Sequence, residues 1–588
     1  MDSPPDARYR LGVCPNNDGM SLVPLQPLKT SLVALLIGLT MSAPVSAEGL
    51  SGSYLAARQA GIQSDFKAAA DYFTRALARD ASNQFLLENA LSSYVDLGDF
   101  EHALLIARRL QTLQADSQVA NLVMTVNAFG QGRTSDLLAD LDAGMKVMPL
   151  VDGLARAWAE IDQGNMTAAI EAFDAISATQ GLDSFGRHHK ALALASAGDF
   201  EGSEKLFAGE GGDELRLDRR GIEARLQVLS QLERDPEGIA LIDRAFGPEL
   251  DPVMAGLRAR LTAGETLPFT AVASARDGMA EVFYMVASAL SADAAPAYTL
   301  LFSRAAQELS PGHVDAILLS AGLLERLNQF SLATQAYDRV PRDHPEFYSA
   351  ELGRAEALRR DGKVERAVEV LTQLSESHPD LPIIQMSLGD LLRQQSDYAG
   401  AVVAYEKAIS LYDKPQDASW RAFYVRGISY ERTDQWDKAE ADLRFALELR
   451  PDEPRVLNYL GYSLLEMNLK LDEALAMIEK AVKASPDSGY IIDSLGWALF
   501  RMGRYNDAVD PMERAVELMP LDPVVNDHVG DVYWAVGRQR EANFQWRRAL
   551  SFEPEPEEAK RIRRKLEVGL NAVLKEEGAD PISVANDG

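Results

Sequence analysis

From Ala287 onward a small residue returns about every 34 positions, and nothing else in the chain narrows its possible folds as much. The openers are Ala287, Ala321, Ala355, Gly389, Gly427, Gly461, Gly496 and Gly530, in steps of 34, 34, 34, 38, 34, 35 and 34. A second small residue follows twelve positions later at Ala333, Ala367, Ala401, Ala439, Ala508 and Ala542, while Ala474 answers Gly461 at thirteen. Pro311, Pro345, Pro379, Pro451, Pro520 and Pro554 close most units, twenty-four after the opener. Glycine inside a helix costs roughly 1 kcal/mol relative to alanine. Meeting that cost at five openers implies that two helices press together there without room for a methyl group.

The unit beginning at Gly489 shows the local pattern. Ile492, Leu495, Leu499 and Met502 recur at helical spacing, and Gly503 with Arg504 breaks the run into a tight turn. A second stripe follows through Ala508, Met512, Ala515, Val516 and Met519 until Pro520 stops it. One antiparallel helix pair per 34 residues, with these small columns, resembles the tetratricopeptide repeat (TPR). The resemblance implies an all-α TPR superhelical solenoid of about twelve or thirteen helix-turn-helix repeats, each burying its apolar face only against its neighbours.

Upstream the pattern is fainter. Ala57, Leu91, Thr125, Ala157 and Ala191 stand 34, 34, 32 and 34 apart, and Ala69, Ala103 and Ala169 hold the central column. Gly98 to Phe100, Gly164 to Met166 and Gly198 to Phe200 read as the same inter-helix turn. Between Ala208 and Asp277 the register blurs, although Asp235 to Gly238 suggests one or two eroded units. The sequence therefore divides into an N-terminal extension and signal peptide (1–47), divergent TPR-like repeats (48–207), eroded helical repeats (208–281), a regular array (282–554), and a capping helix with a loose tail (555–588).

Lys29 precedes an apolar run from Ser31 to Met41, and Val45, Ser46 and Ala47 follow it. A cationic flank, a short apolar core and small residues describe a secretory signal peptide cut after Ala47. The run falls short of the roughly twenty residues that span a bilayer. Translation from Met20 would give this segment a more ordinary start. The single cysteine, Cys14, lies upstream of the cut, so the mature chain has no thiol for a disulfide, nucleophile or metal ligand. The expected location is the bacterial periplasm, with no transmembrane anchor in the mature chain.

A formal charge of −29 argues against a nucleic-acid backbone as general partner. No catalytic constellation stands out: there is no phosphate-cradling glycine loop, no nucleophile elbow and no zinc-protease helix. Of seven histidines only His188 and His189 adjoin, and neighbours on a helix point about 100° apart. The expectation is a non-enzymatic protein without metal or cofactor.

What the resemblance offers instead is a groove lined by the first helix of each pair, usually through repeat positions two, five, nine, twelve and thirteen. Those positions hold Arg421, Tyr424 and Glu431, then Arg455, Asn458 and Tyr462. Next come Tyr490, Asp493, Trp497, Phe500 and Arg501, and last Asp527, Asp531 and Trp534. Aromatics interleaved with arginine suit protein recognition, where Trp, Tyr and Arg dominate the binding energy. The lysine and asparagine set with which some TPR domains clamp a C-terminal carboxylate is not evident.

The stretches Asn458 to Leu464, Gly489 to Tyr505 and His528 to Arg538 resemble the C-terminal block of large proteobacterial envelope TPR proteins. That group includes outer-membrane lipoproteins that act as adaptors for carboxyl-terminal processing proteases. The resemblance spans about Arg455 to Pro554, and the lipidation cysteine of that group is missing. It implies a periplasmic scaffold or adaptor for protein partners, recruiting an envelope protease or assembly machinery. The alternative is a glycan- or peptidoglycan-associated binding module in envelope biogenesis.

Overall fold

Many helices of this chain start for a local chemical reason. Asp65, Asn83, Asp99, Ser117, Asn165, Asp199, Asp397 and Asp522 accept hydrogen bonds from backbone N–H groups of the turn they precede. Prolines open others, including Pro382, Pro454 and Pro556, where a missing N–H costs nothing. The computed structural model describes residues 50–209, 214–248, 250–412 and 419–582. The signal-peptide segment, Cys14 and the last six residues lie outside the described residues.

The described residues fold into helices without strands and divide into two compact bodies, one before and one from Pro379 onward. The first holds α1 (Leu50–Ile62), α2 (Phe66–Leu77), α3 (Gln84–Leu97), α4 (Phe100–Thr112), α5 (Gln118–Gly130), α6 (Thr134–Asp142), α7 (Pro149–Asp162), α8 (Met166–Ser177), α9 (Asp183–Ser196) and α10 (Phe200–Phe207). It continues with α11 (Arg219–Gln231), α12 (Asp235–Phe246), α13 (Pro252–Thr262), α14 (Ala275–Leu290), α15 (Pro296–Leu309), α16 (Val314–Arg326), α17 (Phe330–Tyr337), α18 (Phe347–Arg360) and α19 (Val364–Ser377). The second holds α20 (Pro382–Gln394), α21 (Tyr398–Ser410), α22 (Trp420–Arg432), α23 (Trp436–Leu449), α24 (Pro454–Glu466), α25 (Leu471–Ala484), α26 (Gly489–Arg501), α27 (Tyr505–Leu518), α28 (Pro523–Ala535), α29 (Gln539–Ser551), α30 (Pro556–Val568) and α31 (Leu570–Glu576).

In the second body the helices pair as α20 with α21, α22 with α23, and so on to α28 with α29. The small column explains the pairing. A Cβ added to Gly389 would lie 2.5 Å from the Tyr405 ring, one at Gly496 would lie 2.6 Å from Met512, and one at Gly530 would strike Trp546. Each blocking side chain comes from the partner helix, so the glycine is what lets a bulky residue sit flat against its pair. Tyr405, Met512 and Trp546 are completely buried there. The all-α TPR solenoid is thus the fold that the period requires.

The first body uses the same pairs with one difference. α14 lies against α5, α7 and α9, and α15 lies against α3 and α5. Those are first helices of the upstream pairs, so the face that would line a groove is filled by the chain itself. Trp158 of α7 is fully buried, and a Cβ at Gly278 of α14 would collide with its ring. Arg304 of α15, buried, donates from Nε to the carbonyl of Asp96 at 3.1 Å. Burial pushes the Asp96 carboxyl well above its usual range, and Arg304 only partly offsets this.

The eroded segment resolves into α11, α12 and α13. Leu226 takes the opener's place, and Gly238 follows twelve later, packed against Leu226 and Leu261. His188 and His189 are in the interior, with rings nearly perpendicular at 5.5 Å. Burial holds both below the ordinary histidine range, His189 down to about 3.

Candidate protein-binding groove

In the second body the small residue of each first helix faces its partner helix, which leaves repeat positions two, five, nine, twelve and thirteen on the adjoining face, about a quarter turn round. First helices also meet one another there, α20 with α22, α24 with α26, and α26 with α28. Along this face the sequence-derived residues divide into three groups.

At one end, Asp527, Asp531 and Trp534 are covered by the capping helices. Lys565 of α30, fully buried, places Nζ 2.8 Å from Asp527 and 2.6 Å from Asp531. The Trp546 indole donates to Asp531 at 2.9 Å, and Arg561 stands 3.5 Å from the same carboxylate. Trp534 tilts against Trp546 at 5.5 Å, and its ring fills the space where a Cβ at Gly569 would lie. These three residues hold the cap.

In the middle, α24, α26 and α28 are tied through a stacked set. Trp497 stacks on His528 at 4.0 Å and 13°, and on Phe500, itself buried, at 4.9 Å and 15°. Its indole N–H donates to Glu466 at 3.0 Å, and Arg501 donates to the same oxygen at 3.1 Å. Buried Asp493 lies 3.0 Å from His528 Nδ1. Burial works against a charged imidazole here, yet Asp493, Asp527 and Asp531 outweigh it and hold the His528 pKa above its ordinary value.

At the other end the face is open. Tyr424 meets Tyr459 edge-on at 6.0 Å and lies 5.9 Å from Trp420. Burial is the main cause that pushes the Tyr424 phenol up. Exposed Arg455 rests over the Trp420 ring at 5.2 Å and bonds Glu453 at 2.8 Å. Tyr462 and Tyr490 are half-buried, and Tyr490 packs against the small core of Leu457, Ala481 and Ile491. Asn458 is buried, and its Oδ1 meets no hydrogen-bond donor among the described residues.

Four contributors were not selected from the sequence. Glu466 occupies position thirteen of α24, so the repeat register alone could have found it. His528 occupies position six, which ordinarily points away from a groove, and Trp420 occupies position one. Lys565 lies beyond the repeats altogether. Among the described residues no group of three or more His, Cys, Asp or Glu is placed to hold a metal, and no helix is long and apolar enough to cross a membrane.

Helix pairs, a small column against the partner helix, and side chains gathered on the first-helix face define a tetratricopeptide-repeat fold, which typically serves as a non-enzymatic protein-interaction scaffold. Residues 352–418 and 424–489 match a family model described as Tetratricopeptide repeat, and 490–519 match a second one of the same description. A TPR repeat-containing protein of Pseudomonas aeruginosa is 27% identical over 220 residues, 37% of this chain and 36% of the relative. The chain therefore covers little more than a third of that relative's length. Among solved structures, the APC/C hetero-tetramer Cut9–Hcn1 is 14% identical with a TM-score of 0.38, covering 89% of this chain and 97% of that one. A tetratricopeptide repeat protein from Parabacteroides merdae is 17% identical with a TM-score of 0.37, covering 44% and 99%.

Proposed function

We propose that this chain is an exported, periplasmic scaffold that holds segments of partner proteins along the first-helix face of α20 to α26. The observation that carries this reading is the contrast between the two bodies. In the first, α14 and α15 fill that face of α3 to α9. In the second, Arg421, Arg455 and Ile383 stay about half exposed on it, beside half-buried Tyr424, Tyr462 and Tyr490. Export rests on the signal-like segment that ends at Ala47. A role as recruiter of an envelope protease or assembly machinery rests on the resemblance of Arg455 to Pro554 to envelope TPR adaptors.

A photo-crosslinking residue placed at Arg421 or Tyr462 in living cells tests the reading. Discrete protein adducts are expected from both positions and not from Val403, which is exposed on a second helix. Equal labelling from Val403 would remove the groove from the account. N-terminal sequencing of the fractionated protein should begin at Glu48.

A further inference from the structure

The open end of the groove carries a feature that the repeat pattern does not demand. Trp420 is buried at the start of α22 with two guanidiniums against its ring, Arg450 at 5.5 Å and Arg455 at 5.2 Å from the centroid. Both arginines share one carboxylate, Glu453, at 3.5 and 2.8 Å. Next to them Arg421 bonds Asp390 at 2.8 Å, and the Tyr405 hydroxyl donates to the same carboxyl at 2.7 Å. The exposures decide what a visitor meets. The side chains of Arg421, Arg450 and Arg455 are 55%, 51% and 49% exposed, whereas Asp390 and Glu453 are 19% and 7% exposed. The carboxylates are recessed and the guanidiniums stand in front. Among the described residues Arg421, Arg450 and Arg455 face Asp390 and Glu453, three cations to two anions, in a chain whose formal charge is −29.

We infer that this rim, at the N-terminal ends of α20, α22 and α24, selects an acidic segment of a protein partner, whose carboxylates pair with Arg421 and Arg455 while an apolar side chain rests on Ile383. The inference rests on the protein-binding reading above and names the chemistry of its partner. Charge complementarity is the argument: a strongly acidic protein has set out its arginines where their own counter-ions cannot cover them. Guanidinium matches carboxylate through paired N–H donors, and backing by an indole restricts its motion before binding. Ile383, Arg421 and Arg455 occupy position two of successive repeats. Neighbouring helix axes lie about 8–10 Å apart, and an extended peptide advances about 3.3 Å per residue. The selected segment therefore carries an apolar residue and two acidic ones about three residues apart, in either direction.

The test is selection of a random twelve-residue peptide display library on the full chain, repeated on R421Q/R455Q. R514Q serves as control, since Arg514 is a half-exposed arginine on a second helix. Peptides with Asp or Glu spaced three apart are expected. Their affinity should fall about tenfold on the double variant, remain unchanged on R514Q, and weaken with salt. Peptides that are selected but lack acidic residues, or that bind the double variant equally well, overturn this inference and leave the binding groove standing. No selected peptide at all removes the protein-binding reading too. Retention of single-stranded DNA or heparin through Arg421 and Arg455, without peptide capture, would reassign the rim to a polyanion. Unchanged helicity and melting temperature of the double variant show that the arginines act on the ligand rather than on the fold.

Discussion

His528 shows how much a single side chain in this solenoid depends on its surroundings. Its ring lies under Trp497 and beside Asp493, with Asp527, Asp531 and Glu558 also within electrostatic reach. Lys565 and Arg561 neutralise part of that acidic group from the cap. Because the folded pKa lies above the ordinary value of 6.5, the folded state binds its proton more tightly than the unfolded chain. The stabilisation is therefore complete below pH 6.5 and is lost as pH rises through the folded value. A charge-assisted buried hydrogen bond of this kind contributes about 1.5–3 kcal/mol. Thermal melts of the native chain and H528Q at pH 6 and pH 8.5 should show a gap that narrows at the higher pH. A gap independent of pH would mean that His528 is held neutral and that Asp493 does not pair with a protonated ring.

At the scale of the element, the turn between paired helices repeats more faithfully than the helices themselves. The residue seven after the opener is left-handed in nearly every pair: Gly98, Gly164, Gly198, Asn328, Gly362, Ser396, Asp434, Asn468, Gly503 and Gly537. Glycine takes that conformation freely, whereas other residues lose roughly 1–2 kcal/mol. Ser396, at φ 62°, is a serine carrying that strain. S396G should raise stability by about 0.5–1 kcal/mol, less than the strain itself because glycine also loosens the unfolded chain. Urea unfolding measures it, and a loss of stability would show that the Ser396 side chain contributes more than its backbone conformation costs. The same turn explains what was legible in the sequence and what was not. Where the opener is Gly or Ala and the turn is Gly, the pair could be read directly. At α11 and α12 the opener is Leu226 and the left-handed turn is Glu233, at φ 60°, so both markers vanish while the geometry persists. Of the groove, positions two to thirteen were readable from the register. Coverage of Asp527, Asp531 and Trp534 was not, because it depends on Lys565 of α30 and on Gly569 at the joint with α31, in a segment that follows no repeat. Nor does periodicity say that α14 and α15 pack across α3 to α9, since that depends on where the chain returns rather than on any local pattern.

At the scale of the whole molecule, the filling of the first-helix face in the first body needs something to hold α14 in place; of two adjacent arginines of α11, Arg220 reaches α14, while Arg219 braces the turns before α13 and α18. Arg219 bonds Asp251 before α13 at 2.7 Å and Glu346 before α18 at 3.1 Å. Arg220 chelates Glu281 of α14 through Nε at 2.8 and 2.9 Å and reaches Asp315 of α16 at 2.8 Å. Burial would raise the Glu281 pKa, but Arg220 and then His313 outweigh it and keep this carboxylate charged. A buried ion pair of this kind is worth little against a well-packed apolar replacement, yet removing one partner alone strands the other. R220M should therefore destabilise the first body by about 3–5 kcal/mol, whereas R220M/E281Q should recover most of that loss by removing the stranded charge. Hydrogen exchange resolved along the chain supplies the readout: amides of α11, α14 and α16 should lose protection in the single variant and regain it in the double, while α22 to α28 keep theirs. Equal protection in native and R220M chains would show that apolar contacts alone seat α14. The groove of the first body would then be closed by packing, with charge playing no part in keeping ligands to the second.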